Sequence, residues 1–103
     1  MPKTHYATVT INTSGFDSNV DPNPLVVTAG DTIVWKPVGG TINFFLFHDD
    51  SVFSKVPEKL KSAENWEAII KTGIETDNDN YGVNVTTENG TTFKIDPQLE
   101  VNQ

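Results

Sequence analysis

His5 and His48 are the only imidazoles in a chain of 103 residues that has no cysteine. These counts bound the available chemistry. Without a thiol there is no cysteine nucleophile, no disulfide and no thiolate metal site. Two imidazoles are too few for a metal centre built from several histidines. Near His48 stand Asp49, Asp50, Ser51 and Ser54, which are the residue types of a hydrolytic triad. A working nucleophile sits on a sharp turn and receives its base from elsewhere in the fold, whereas these residues crowd one loop. No catalytic residue is assigned, and His48 reads as a polar residue ending a strand.

A second acidic constellation is Asp77, Asp79, Gly82 and Glu88, at positions 1, 3, 6 and 12 of a helix-loop-helix calcium loop. Tyr81 stands where position 5 needs a ligand, and Asn84 where position 8 needs an apolar side chain. Val83 and Val85 also draw the stretch into a strand. The segment reads as a solvated loop, with Asp77, Asp79 and Glu88 kept only as alternative calcium ligands, and no cofactor is expected. Asn12, Asn84 and Asn89 head glycosylation sequons, which matter only in a secreted eukaryotic setting.

The elements that must position these residues are short strands. Ala7, Val9 and Ile11 alternate with Thr8, Thr10 and Asn12, and a Ser/Gly/Asp/Asn/Pro-rich loop over residues 13 to 23 follows. Leu25 and Val27, then Ile33 and Trp35, fall in phase on either side of Ala29-Gly30-Asp31. This predicts a hairpin with Trp35 at the centre of the core. Pro37 and Gly39-Gly40 are expected to break the ladder. From Ile42 to Phe47 a strand is apolar on both faces and needs two covers.

Ala63, Trp66, Ile69 and Ile70 recur at three- and four-residue spacing within residues 57 to 72. Ser62 can cap, Glu64 and Glu67 suit the positive end, Lys71 suits the negative end, and Gly73 can terminate. One short helix near residues 62 to 72 is therefore predicted. A polar linker over 75 to 80 leads to a strand through Tyr81, Val83 and Val85. Asn89-Gly90 predicts a type I′ hairpin, and Leu99 and Val101 close the chain. About seven strands and one helix form the pattern of a small all-β sandwich, with Trp35, Ile33, Val27, Tyr81 and Val83 in its core.

The run Pro-Leu-Val-Val-Thr-Ala-Gly-Asp-Thr-Ile-Val-Trp at 24 to 35 resembles the strand pair of cupredoxins, the plastocyanin-like domains. A long excursion, a Tyr-led strand at Tyr81 and a terminal strand at Leu99 to Val101 follow in the same order. The resemblance implies a Greek-key β-sandwich. It also implies a copper held by two His, one Cys and usually a Met, but residues 86 to 92 contain no Cys, His or Met. Gly39-Gly40-Thr41 stands where the first histidine ligand is expected. The resemblance therefore implies a copper-free scaffold.

The length suits a single domain over residues 1 to 103. Fourteen acidic against seven basic side chains give a net charge of −7, which disfavours nucleic acid and anionic lipid. No run approaches the ~20 apolar residues of a membrane span, so no membrane insertion is expected. If Met1 is the native start, the protein is expected in the cytoplasm. The aromatic residues exceed what such a core can bury. Phe45, Phe47 and Phe53 then form an exposed interaction surface or pack beneath Trp66 and Ile70. The expected function is non-catalytic, a protein interaction or assembly module that binds a protein partner or itself. The alternative is a small-ligand or calcium-binding protein.

Overall fold

The computed structural model describes residues 2–13, 18–47, 50–61, 64–73 and 77–102, with the backbone alone at residues 50, 77 and 79. Within them lie strands Thr4–Thr10 (β1), Asn19–Asp21 (β2), Leu25–Thr28 (β3), Thr32–Val38 (β4), Gly40–Leu46 (β5) and Phe53–Lys59 (β6). Trp66–Ile70 (β7), Asp77–Asn80 (β8), Gly82–Thr87 (β9), Thr92–Ile95 (β10) and Gln98–Asn102 (β11) follow, and Asp50–Val52 forms one 3-10 turn. The fold is all-β. Among the described residues no helix is long and apolar enough to cross a membrane.

One sheet has the order β2-β1-β4-β7-β6, and two smaller ones run β10-β9-β5 and β3-β11-β8. β1 is parallel to β4, from Thr4 opposite Thr32 to Thr10 opposite Val38, and β3 is parallel to β11. The two small sheets share one bent hairpin, in which β9 pairs with β10 and β8 with β11. At the bend the Tyr81 amide donates to the Pro97 carbonyl at 3.0 Å, holding the halves in register.

All three sheets feed one apolar core, including Val9, Ile33, Trp35 and Ile70 from the large sheet, Ile42, Val83 and Val85 from the second, and Leu25, Val27, Leu99 and Val101 from the third. Alternation places these residues inward, because each strand shows only one face to the core.

The segment at 24 to 35 is not a hairpin. β3 pairs with β11 while β4 lies between β1 and β7, so the Ala29-Gly30-Asp31 turn carries the chain from one sheet to another. Leu25, Val27, Ile33 and Trp35 still share a phase, since both strands face the same core. Gly30 makes the corner at φ +91°, a left-handed conformation that glycine adopts without steric cost. Ala29 donates to Asn102 and Gly30 to Ile70, tying the corner to both sheets.

The helix expected near residues 62 to 72 is absent, for residues 66 to 70 form β7, paired with β4 and β6. Ala68 and Ile70 are buried and Trp66 packs against the core, so the inward positions repeat every second residue. Tertiary pairing overrides a helical spacing that only a few residues supported. The cap Ser62 and Ala63 lie outside the described residues.

Smaller corrections follow the same logic. The loop expected at 13 to 23 contains β2, which pairs with β1, and the polar linker at 75 to 80 contains β8. Pro37 does not stop β4, because the strand continues to Val38. The Asn89-Gly90 hairpin exists but is not a two-residue type I′ turn. Gly90 N–H donates to Thr87 and Thr87 N–H to Thr91, leaving a three-residue loop with Gly90 at φ +91°, the geometry of a turn closed by a glycine bulge.

Candidate interaction surface

β5 decides which side chains this end of the molecule exposes. Its pairing with β9 slips after Ile42, which lies opposite Val85, so that Phe44, Phe45 and Leu46 face Asn84, Val83 and Gly82. The extra residue, Asn43, reverses the alternation. Ile42, Phe45 and Phe47 then belong with the core while Phe44 and Leu46 turn outward.

Phe45 stands 4.5 Å from Trp35 and 5.4 Å from Trp66 between ring centroids. Phe47 is 5.1 Å from Tyr81 and 4.7 Å from Phe53. Phe53 itself is buried. Of the two expectations for Phe45, Phe47 and Phe53, an exposed surface or packing beneath Trp66 and Ile70, the rings lie closer to the second: they form an aromatic cluster leaning on the core, with Phe45 against Trp66. The exposed residues are its neighbours, with Phe44 at 46%, Leu46 at 53% and Val56 at 50%.

Phe44, Phe45, Leu46, Phe47, Val56 and Pro57 line an open groove of about 340 Å³ between β5 and β6. Among the described residues both strands are sheet edges, with one side of the backbone left without a strand neighbour. β6 is protected by Pro57, by Lys55 and Lys59, and by two irregularities in its register. Lys55 is further held to Glu67 at 3.0 Å. β5, Gly-Thr-Ile-Asn-Phe-Phe-Leu, has neither proline nor charge. Beside the cluster, the buried Nε1–H of Trp66 has no acceptor among the described residues.

A second arrangement, not foreseen from the sequence, surrounds Asp31, which is only 3% exposed. Its carboxylate accepts from the Lys3 amide at 2.9 Å, the Thr28 amide at 3.0 Å and His5 Nε2–H at 2.6 Å. Parallel pairing of β1 with β4 brings His5 beside this corner. The only sequence signal was an Asp following a turn glycine. Burial by itself raises the Asp31 pKa, but the bonds from Lys3, His5 and Thr28 outweigh it and the net shift is downward. These bonds tie the start of β1 to the corner before β4.

These shifts predict a two-sided pH window. A depressed Asp31 pKa contributes stability above the unfolded value, which is lost as pH falls through the folded one. Burial pushes Tyr81 up to about 12, against the opposing bond from Trp35. Its contribution is complete below the unfolded value near ~10 and disappears as pH rises toward the folded one. Melting curves across pH should decline at both ends, and Asp31→Asn should flatten the acid limb. An unchanged acid limb would remove Asp31 as its source.

His48 and Asp49 lie outside the described residues, Ser51 is exposed, and Ser54 Oγ only reaches the Ile69 carbonyl at 3.5 Å. Asp77 and Asp79 are on β8 opposite Val101 and Leu99, while Glu88 is exposed at the β9–β10 turn. The calcium spacing is thus stretched along a hairpin instead of wrapping round an ion. No group of three or more His, Cys, Asp or Glu that could hold a metal occurs among the described residues.

Gly40 and Thr41 lie opposite Thr87 and Thr86, so the two segments at which the sequence resemblance led to an expectation of copper ligands are neighbours. Here Asn43 Nδ2 donates to Asn84 at 2.9 Å and Thr86 at 2.8 Å, and Thr86 Oγ1 meets Thr92 Oγ1 at 3.0 Å. Hydroxyls and carboxamides do not fit a thiolate-imidazole copper site. No model of a known protein family matches the chain, and comparison with curated proteins gives no match.

Proposed function

We propose that this chain is a copper-free, non-catalytic cupredoxin-like domain, one unit over residues 1 to 103, that serves as a protein interaction or assembly module. The parallel pairings β1/β4 and β3/β11, and the crossing of residues 25–38 between sheets, support a Greek-key sandwich of that kind. The observation that carries the function is the β5 edge, which is seven residues long, uncharged and bordered by an apolar groove. Such an edge accepts an extended strand, whose backbone supplies affinity while the groove takes its side chains. A small apolar ligand carrying one acceptor is the second reading, favoured by the buried Trp66 Nε1–H, which has no acceptor among the described residues.

Phe44→Ser/Leu46→Ser tests the docking role. Both side chains are about half exposed, so the variant should melt within a few degrees of the parent. It should also lose the association, with itself or another protein, that the parent shows in sedimentation and co-precipitation. Retention of every association by a folded variant would overturn the assignment.

A further inference from the structure

We propose that Asn89 is a self-modification site, at which the backbone nitrogen of Gly90 displaces the side-chain amine and leaves aspartate or isoaspartate at position 89. Steric access argues first. Asn89 is the only asparagine in the chain that precedes a glycine. Every other asparagine is followed by a residue whose side chain crowds the attacking nitrogen, or by proline, which has no N–H to lose. Asn89 and Gly90 are both exposed at the tip of the β9–β10 hairpin, and a Cβ built on Gly90 would meet nothing within 4 Å. The nucleophile is open.

The loop also holds the group that is attacked. Asn89 Oδ1 accepts from the Thr87 hydroxyl and from the Thr91 amide at 3.4 Å. Thr87 is only 4% exposed, and its oxygen accepts from that same Thr91 amide at 3.0 Å, so its own proton is aimed at Asn89. Two donors thus face the oxygen on which negative charge grows as the nitrogen adds to Cγ, the arrangement that stabilises a tetrahedral intermediate. Asn89 Nδ2 has no hydrogen-bond partner among the described residues, which leaves the departing amine open to water. One bond opposes the attack. Gly90 N–H donates to the Thr87 carbonyl at 3.0 Å and must open before its proton is lost, but it closes an exposed loop, where local opening costs least.

The reaction is redox-neutral and consumes only water. Solvent base takes the Gly90 amide proton, the bond from Gly90 nitrogen to Asn89 Cγ forms, and the Cγ–Nδ2 bond breaks as that nitrogen takes up a proton and leaves as ammonia. A cyclic succinimide remains, and water adds to either of its carbonyls. Opening at Cγ restores the backbone with an aspartate side chain, while opening at the α-carbonyl routes the chain through Cγ as isoaspartate. Each product adds one carboxylate beside Glu88. An aspartate carboxylate meets the same two donors and receives charge-assisted bonds in place of neutral ones. Because base starts the reaction, it should accelerate as pH rises.

The test holds the folded chain in mildly alkaline buffer and follows it by intact mass, ion exchange and peptide mapping. The amide-to-acid mass gain should appear at Asn89 before any other asparagine, in two peptides of equal mass, with one added negative charge on the intact chain. First conversion at another asparagine, or an Asn89 that keeps its amide as long as Asn84 does, would overturn the site. The parent decides this by itself. Thr87→Val removes the hydroxyl donor while keeping the side-chain shape, and should slow conversion about three- to tenfold. Thr87→Ser keeps the donor and should convert at the parent rate, which separates donation from loop stability once melting curves show both variants folded. A folded Thr87→Val chain that converts as fast as the parent or faster would overturn the part assigned to the hydroxyl.

Discussion

Trp35→Ala should destabilise the fold by about 4–8 kcal/mol and leave little or no folded protein at ambient temperature. Trp35 is fully buried, packs 4.5 Å from Phe45, and donates from Nε1 to the Tyr81 hydroxyl at 3.2 Å. Truncating such a side chain costs ~3–5 kcal/mol through lost burial and the cavity left behind. Removing the donor adds ~1–3 kcal/mol, because the Tyr81 oxygen stays buried. The sum approaches the ~5–15 kcal/mol that holds a domain folded. Trp35→Phe should isolate the polar part at ~1–3 kcal/mol plus a modest loss of volume. Chemical denaturation followed by circular dichroism reads both, and a Trp35→Ala midpoint close to the parent's would refute the placement of this residue.

The second large effect is expected from Phe45→Ser/Phe47→Ser. These rings join Trp35, Trp66, Tyr81 and Phe53 in one cluster, and both remain partly accessible. Full truncation of a buried Phe costs ~3–5 kcal/mol. Two half-buried rings should together lose about 4 kcal/mol, lowering the melting temperature by roughly 15–30 °C for a domain of this size. Thermal melts provide the check, and a shift of only a few degrees would mean that the rings contribute little to the core.

Alternation made inward faces readable without naming their neighbours. Val27, Ile33, Trp35, Tyr81 and Val83 are all nearly inaccessible, and a period of two places each one. The same period cannot distinguish a hairpin partner from a strand in another sheet, so β3 and β4 read as a pair although they occupy different sheets. In β7, Trp66, Ile69 and Ile70 satisfy helical spacing while Trp66, Ala68 and Ile70 satisfy strand spacing. Pairing with Thr32 to Trp35 decides between them, and that information is non-local.

The proposed docking surface was half legible for a similar reason. A strand apolar on both faces announced a second cover, but the Asn43 bulge reversed which phenylalanines were outermost. Nothing in Ile-Asn-Phe-Phe-Leu marks the slip, because it depends on the register against β9. The His5–Asp31 clasp was hidden by distance in sequence, since only the parallel β1/β4 pairing brings the two residues together.

The central claim is that one strand divides its aromatic residues between core and docking face. It is tested most directly by melting and sedimenting Phe45→Ser/Phe47→Ser and Phe44→Ser/Leu46→Ser beside the parent. The account predicts a large loss of stability in the first, and in the second a melting temperature within a few degrees of the parent with association lost. The reverse pattern, with the inward pair tolerated and the outward pair unfolding the chain, would contradict it.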